Sequence, residues 1–157
     1  MKKLGLTIVA GALALASGTA HAQSFTYEVT WEPVESYGGL MGPDGMQYRG
    51  GSVDGTYVTT FADGSTSTGT MKCAGTGQPD GGIFAIHIAC TATASDGGTA
   101  QIAYGCNYVG EPGPETPLGC VAGIQGKDDE GAYVNGSATM YWYSDTSATG
   151  TGQWYTN

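Results

Sequence analysis

Leucine is almost absent from the chain once its first 22 residues are set aside. Only Leu40 and Leu118 remain, and no stretch carries apolar residues at helical spacing. The chain has 28 glycines, and threonine, tyrosine and valine fill much of the remainder. Glycine weakens helices, whereas threonine, tyrosine and valine are favoured in strands. We therefore expect an almost entirely β protein.

Dipeptides typical of tight turns recur along the chain. Asp-Gly or Asn-Gly pairs occur at 44–45, 54–55, 63–64, 80–81, 96–97 and 135–136. Such pairs suit type I′ hairpin turns, whose central residues need positive φ. The segments between them predict strands at 25–31, 55–61, 67–73, 87–94, 99–108, 132–134, 137–143 and 149–155. Two segments without a strand pattern, 35–45 and the proline-rich 110–117, are predicted to be loops.

Short strands joined in sequence by tight turns predict an antiparallel up-and-down meander of seven or eight strands. A meander of this size must deal with its two edge strands. Closure into a barrel removes the edges, whereas a sandwich leaves them to be protected. We therefore expect a closed or nearly closed barrel, formed by residues 23–157 as a single domain.

The first 22 residues have the pattern of a bacterial Sec-type signal peptide. Two lysines precede an uncharged apolar run at 4–16, and Ala20-His21-Ala22 supplies a small-x-small cleavage site. The run is shorter than the ~20 apolar residues that a membrane-spanning helix needs. We therefore expect cleavage before Gln23 and a periplasmic or secreted location.

Removal of residues 1–22 would make the chain strongly acidic. Three basic residues would remain against fourteen acidic ones, a net charge of −11. Such a surface repels phosphate backbones and anionic membranes, because it has few cations to replace their counterions. We therefore expect neither nucleic-acid binding nor membrane insertion.

Four cysteines, Cys73, Cys90, Cys106 and Cys120, remain in the expected mature chain. An even number in an exported chain indicates two disulfides, and the close C-x₂₋₄-C pairs typical of a zinc site are missing. Cys106 and Cys120 flank the proline-rich loop, which favours their pairing and leaves Cys73 with Cys90. Because a tight turn at 80–81 would place Cys73 opposite a residue near Phe84, this second pairing predicts a long excursion over 74–89. Each bridge would close a loop of ~15 residues, a stabilisation of about 3 kcal/mol.

No catalytic, metal-binding or cofactor-binding signature stands out. His87 is the only histidine beyond the leader, and neither a G-x-S-x-G elbow nor a free cysteine accompanies it. The acidic run at 128–130 lacks the alternating spacing of a calcium loop and is interpreted as a solvated turn. The sequence therefore predicts no cofactor and no metal, and it gives no positive support for an enzyme.

Aromatic side chains are the strongest candidates for a binding site. In a small barrel with almost no leucine, rings are needed to fill the core. A lumen lined with rings could also hold an apolar or aromatic ligand. The candidate ligand-binding residues are His87, Tyr104, Tyr141, Trp142 and Trp154.

One segment carries a resemblance to a known family. Residues 118–126, Leu-Gly-Cys-Val-Ala-Gly-Ile-Gln-Gly, and the following Gly131-Ala132-Tyr133 are similar to the glycine-rich strand signature of allene oxide cyclase and dirigent-type barrels. The resemblance implies an eight-stranded barrel with an apolar lumen. Cys120 and the disulfides depart from the family pattern. No functional position of the family matches, so no catalytic residue is carried over.

The leading hypothesis is an exported β-barrel that binds a small apolar or aromatic ligand in its lumen. One alternative is a surface module that binds glycans or a protein partner through exposed rings. Another is an isomerase- or cyclase-like enzyme, as the resemblance would imply. A filled lumen without a cavity of ligand size would contradict the first hypothesis, and a lack of retention on insoluble polysaccharides would contradict glycan binding.

Overall fold

A computed structural model of the chain describes residues 22–41, 47–77, 82–113, 115–144 and 146–155. The predicted signal peptide, apart from its last residue Ala22, lies outside these ranges. The Asp-Gly pairs predicted as turns at 44–45 and 80–81 also lie outside them.

Eight strands account for most of the described residues. They are β1 (Ala22–Met41), β2 (Gln47–Phe61), β3 (Thr66–Gly77), β4 (Ile86–Ala94), β5 (Thr99–Tyr108), β6 (Leu118–Lys127), β7 (Tyr133–Ser144) and β8 (Ser147–Tyr155). Each strand pairs antiparallel with the next, and β8 pairs with β1 from Ala22–Tyr155 to Thr30–Ser147. The closed antiparallel meander predicted from the sequence is therefore confirmed, with eight strands.

Side chains alternate between the lumen and the outside, as the period of two in a strand requires. In β4, Ile86, Ile88, Cys90 and Ala92 are buried and the residues between them are exposed. Threonine dominates the outward positions. One outward row crosses five neighbouring strands through Thr66, Thr60, Thr26, Thr151 and Thr139. Such cross-strand pairs of β-branched side chains stabilise the sheet while keeping polar groups in water.

The short turns differ in type from the prediction. At 61–65, 94–98 and 128–132 the chain reverses with a glycine in the left-handed region: Gly64 (φ 84°), Gly97 (φ 104°) and Gly131 (φ 86°). No non-glycine residue in the described ranges has positive φ, so the type I′ turns predicted at 63–64 and 96–97 are wrong. These are three-residue connections, a type I turn followed by a left-handed glycine. We call the barrel end that carries these three turns the short-turn end.

Two predicted turns lie inside strands instead. Gly55 is in the middle of β2 and Gly136 is in β7, which joins the predicted strands 132–134 and 137–143 into one. A Cβ atom added to Gly55 would lie 2.6 Å from Cε3 of Trp31, and one added to Gly136 would lie 3.0 Å from Cε3 of Trp154. These glycines therefore make room for indole rings in the lumen, which a dipeptide rule for turns does not detect.

The first hairpin extends beyond the rest of the barrel. β1 continues to Met41 and pairs with β2 as far as Gln47, with register shifts between Pro33 and Glu35 and between Gly38 and Leu40. The predicted loop at 35–45 is therefore wrong for residues 35–41, and residues 42–46 lie outside the described ranges. A local pattern misses this strand because the shifts break the alternation on which the prediction depends.

Both predicted disulfides are confirmed. Cys73–Cys90 joins β3 to β4 and Cys106–Cys120 joins β5 to β6, each between directly opposed residues with Cα atoms 4.1 Å apart. The predicted excursion over 74–89 is wrong, because the ladder continues beyond the bridge to the pair Gly77–Ile86. The connection is confined to residues 78–85. The prediction failed because it misplaced the residue opposite Cys73. A two-residue turn at 80–81 would put Cys73 opposite Ile88 rather than near Phe84, only two residues from Cys90. The observed register therefore aligns the two cysteines without any excursion.

Candidate functional site

A cavity of about 400 Å³ opens at the short-turn end of the barrel. Inward-pointing side chains of all eight strands contribute to its lining, and we call it the lumen cavity. The aromatic residues that line it are Phe25, Tyr27, Tyr57, Phe61, Tyr104 and Trp154. Aliphatic side chains, including Met71, Ile102 and Ile124, complete its walls. The cavity is thus a ring-lined opening in the lumen of a closed sheet.

Phe25 is at the centre of the rings near the mouth. Its ring centroid lies 5.8 Å from that of Trp154 and 6.2 Å from that of Phe61. On β8, Gly150 and Gly152 take the positions where side chains would otherwise meet these rings. An added Cβ on Gly152 would collide with the Phe25 ring, and one on Gly150 with the Tyr27 ring. The glycines of β8 therefore set how far the rings of β1 reach into the lumen.

A pair of buried phenols forms the floor of the lumen cavity. The Tyr27 hydroxyl donates a hydrogen bond to the backbone carbonyl of Thr139 at 2.9 Å, and it lies 3.2 Å from the Tyr104 hydroxyl. A phenol has one proton, and Tyr27 uses its proton on Thr139. Tyr104 must therefore donate to Tyr27, which leaves the Tyr104 oxygen with unused acceptor capacity beside the cavity.

Both floor phenols are neutral over a wide pH range. Burial is the main cause that raises the pKa of Tyr27, and the neighbouring Tyr104 raises it further. Burial also raises the pKa of Tyr104, although its hydrogen bond to Tyr27 opposes the shift. A buried group without a counter-charge favours its uncharged form. The floor therefore presents hydrogen-bonding groups but no charge.

The half of the lumen beyond the phenols is filled by side chains. Trp31 is only 1% exposed, and its ring stacks on that of Trp142 with centroids 4.8 Å apart at 13°. Both disulfides are buried in the same half. A separate depression of about 490 Å³ lies at the opposite end of the barrel, where Trp142 lines it. The lumen cavity therefore opens at the short-turn end and is closed below by packed core residues.

The mouth of the lumen cavity carries mostly negative charge. Asp96, Asp128 and Asp129 line it together with Lys127. The Asp96 carboxylate accepts a hydrogen bond from the Gly98 backbone N–H at 3.0 Å, which ties it to its turn. The Asp128 carboxylate accepts hydrogen bonds from two backbone N–H groups of its own turn, those of Ala132 at 2.8 Å and Glu130 at 3.1 Å. Local turn chemistry thus holds carboxylates at the rim.

The candidate residues predicted from the sequence fall in three places. Tyr104 and Trp154 both line the lumen cavity. Trp142 is in the lumen at the opposite end, stacked on the buried Trp31. His87 is exposed on the outer surface of β4, and Tyr141 is exposed on the outer surface of β7. The structure therefore brings together two of the five.

The outward position of His87 gives this residue neighbours that differ from those expected of a lumen residue. The His87 ring contacts that of Phe84 edge-on, with centroids 6.1 Å apart. Phe84 in turn lies on Gly105, and Asn107 binds the backbone on both sides of Phe84. His87 is therefore part of the surface where the β3–β4 connection folds against β5, and its side chain does not line the lumen cavity.

Sequence reasoning missed four aromatic residues of the lumen cavity: Phe25, Tyr27, Tyr57 and Phe61. A signal was present, because Phe25, Tyr27, Val29 and Trp31 alternate strictly in the first strand and must share one face. Alternation groups residues on a face without saying whether that face points inward. The closure of the barrel decides this.

Two other features, a metal site and a membrane-spanning helix, are not found in the described part of the chain. It contains no group of three or more histidine, cysteine, aspartate or glutamate side chains that could hold a metal ion. Nor do the described ranges contain a helix with the length and hydropathy needed to cross a membrane.

Comparison with known proteins gives no relative. No protein family, no curated protein and no solved structure matches the chain significantly. The similarity of residues 118–126 to allene oxide cyclase and dirigent-type barrels stays a prediction. The class defined by fold and site is a disulfide-bridged, eight-stranded antiparallel barrel with an aromatic cavity at one end.

Proposed function

We propose that this protein binds a small apolar or aromatic molecule in the lumen cavity. The observation that carries the proposal is the cavity itself, which is lined by six aromatic rings and has about 400 Å³ of free volume. Small-molecule sites in proteins have ~300–1,000 Å³ and apolar walls with a few polar groups. The floor phenols supply such polar groups, and the open mouth supplies access.

The chemistry of the cavity favours binding over catalysis. The ionisable groups on its floor are Tyr27 and Tyr104, and burial raises the pKa of both phenols. A general base must lose its proton near the working pH to be effective. These phenols retain theirs, so they serve to orient a ligand by hydrogen bonding. An isomerase- or cyclase-like activity gains no support from them.

The proposal includes export to the periplasm or beyond. Two features support it: the signal-peptide pattern of residues 1–22, and two disulfides, which persist in oxidising compartments. The acidic composition supports a protein without nucleic-acid partners.

Ligand binding can be tested with a neutral fluorescent probe such as N-phenylnaphthylamine. The mature protein is expected to bind it saturably at one site, with enhanced fluorescence. Ala92→Phe places a ring in the lumen cavity from β4 and should weaken binding ~10-fold or more, since it removes ligand volume. Ala89→Phe is the matched control, because Ala89 is exposed on the outer face of the same strand.

The variants distinguish a blocked cavity from a misfolded protein. Thermal unfolding of each variant shows whether it is folded, and Ala100→Phe fills the same cavity from β5 if Ala92→Phe is unstable. Absence of saturable binding, or equal weakening by Ala92→Phe and Ala89→Phe, would contradict lumenal binding. Native mass spectrometry of protein purified from its own compartment should also retain a small molecule.

A second candidate function is glycan binding on the outside of the barrel. One observation favours it: Tyr141 and Tyr143 are 43% and 47% exposed on β7, and their rings stack with centroids 6.2 Å apart at 23°. Exposed flat rings are surfaces on which sugars stack. Retention on insoluble polysaccharides should then be lost in Tyr141→Ala/Tyr143→Ala and kept in Tyr133→Ala. No retention of the unaltered protein would contradict this alternative.

A further inference from the structure

We propose that the lumen cavity selects a cation: an apolar or aromatic molecule that carries a protonated amine. Its apolar body would occupy the ring-lined part of the cavity, and its ammonium group would lie at the mouth near Asp96, Asp128 and Asp129. This inference rests on the proposed function, and it specifies the chemical class of the ligand.

The first support is the charge balance of the mouth. Asp96, Asp128 and Asp129 face one cation, Lys127. The Lys127 ammonium lies over the ring of Tyr133, 4.9 Å from its centroid, and Tyr133 is 81% exposed. Lys127 is therefore directed to the outside of the barrel. In the described part of the chain, the salt bridge observed is between Lys72 and Asp54, on the outer surface away from the mouth.

The second support is that the carboxylates of Asp96 and Asp128 are held in place by hydrogen bonds through one oxygen only. Asp96 accepts the Gly98 N–H through one oxygen, Oδ1, and its other oxygen makes no hydrogen bond in the described structure. Asp128 likewise uses Oδ1 for two backbone N–H groups. The turns thus fix the positions of these two carboxylates without neutralising their charge. An ammonium group at the mouth would find acceptors that are already in place.

The third support is the position of aromatic rings beside these carboxylates. Tyr57, Phe61 and Trp154 line the same cavity as Asp96. Burial raises the pKa of the Tyr57 phenol, and the negative charge of the nearby Asp96 raises it further. Ring faces attract cations, and the attraction grows when the cation is partly shielded from water. Carboxylates and rings at one opening therefore act on a cation together.

Alternative ligand charges fit the cavity less well. An anionic ligand would meet three carboxylates at the mouth and no cation on the neutral floor. A neutral ligand would gain the apolar contacts alone. The overall negative charge of the chain also attracts cations and raises their concentration near the surface. The charged end of the ligand would stay at the mouth, since burying it against the neutral phenols would remove its hydration without compensation.

Two probes with the same skeleton test the inference by isothermal titration calorimetry: naphthylethylamine, which is protonated at neutral pH, and naphthylethanol, which is not. The amine should bind ~10-fold tighter than the alcohol at low ionic strength, from the combined carboxylate and ring attraction. High salt should reduce this preference, because exposed charges are screened.

A matched pair of variants locates the effect. Asp96→Asn keeps the hydrogen bond to Gly98 but removes the charge, and should weaken amine binding several-fold without changing alcohol binding. Asp63→Asn is the control: Asp63 accepts Ser65 N–H in an equivalent turn at the same end, but it does not line the cavity. Its substitution should leave both affinities unchanged.

Failure of the inference is distinct from failure of the proposed function. Equal affinity for the two probes, or tighter binding of the alcohol, would overturn cation selection while leaving lumenal binding intact. An equal loss of amine affinity in Asp63→Asn and Asp96→Asn would also overturn it, because the attraction would then come from the overall charge. If neither probe binds, lumenal binding itself is contradicted.

Discussion

The hydroxyl of Tyr27 connects three strands that do not pair with one another. It is on β1, it donates to the Thr139 carbonyl on β7, and it accepts from Tyr104 on β5. The two substitutions to phenylalanine should therefore differ in cost. Tyr27→Phe leaves both the Tyr104 O–H and the Thr139 carbonyl without this partner, whereas Tyr104→Phe leaves the Tyr27–Thr139 bond in place.

The magnitudes follow from the number of partners lost. A buried polar group left without its partner costs ~1–3 kcal/mol, and an ordinary hydrogen bond contributes about 1 kcal/mol. Tyr27→Phe should lower the free energy of unfolding by about 2 kcal/mol, with the open cavity giving Tyr104 some access to water. Tyr104→Phe should lower it by about 1 kcal/mol, because a single bond is removed.

Urea unfolding followed by tryptophan fluorescence measures both values, with the disulfides kept oxidised. The slope of free energy against denaturant should be the same in all three proteins, so that midpoints can be compared. Equal destabilisation, or a larger effect of Tyr104→Phe, would refute the donor order from Tyr104 to Tyr27 to Thr139. No effect in either variant would refute the buried bond itself.

Three further predictions concern stability. Above about pH 10 the free energy of unfolding should fall by about 1.4 kcal/mol per pH unit for each floor phenol, because both phenols keep protons that the unfolded chain loses. An alkaline unfolding series in which Tyr27→Phe shows no shallower slope than the unaltered protein would contradict this. Replacing Cys106 and Cys120 by alanine should cost about 3 kcal/mol, and an unchanged melting temperature would contradict the bridge. Gly150→Ala should cost about 2 kcal/mol, since its Cβ meets the Tyr27 ring and the Thr139 carbonyl. The control Gly123→Ala, with no atom within 4 Å of the added Cβ, should be neutral when both are compared by urea unfolding.

The sequence predicts the architecture well and the details of the connections poorly. Few leucines, abundant threonine and recurrent turn dipeptides led to a closed antiparallel meander, and both cysteine pairings were correct. The turn type and the loop at 35–41 were wrong. An Asp-Gly pair is found in tight turns, but in Asp54-Gly55 the glycine makes room for the Trp31 ring on the neighbouring strand. The dipeptide is the same in both situations, so the local sequence cannot tell them apart.

The lumen cavity shows the same limit. The sequence suggested five candidate residues, and the cavity contains two of them, Tyr104 and Trp154. His87 and Tyr141 point outward, although the segments around both were predicted to be strands. A rule based on aromatic or titratable residue type cannot separate inward from outward positions, since both faces of a strand carry such residues.

By itself the sequence determined the strand-forming composition, the two faces of each strand and the number of disulfides, because these depend on residue type and on a side-chain period of two. The tertiary structure alone decided which face lines the lumen, which rings meet there and where the carboxylates of the short turns lie around the mouth. Contacts such as Tyr27 with Tyr104 join residues 77 positions apart. They depend on register and closure around all eight strands, which no local pattern specifies.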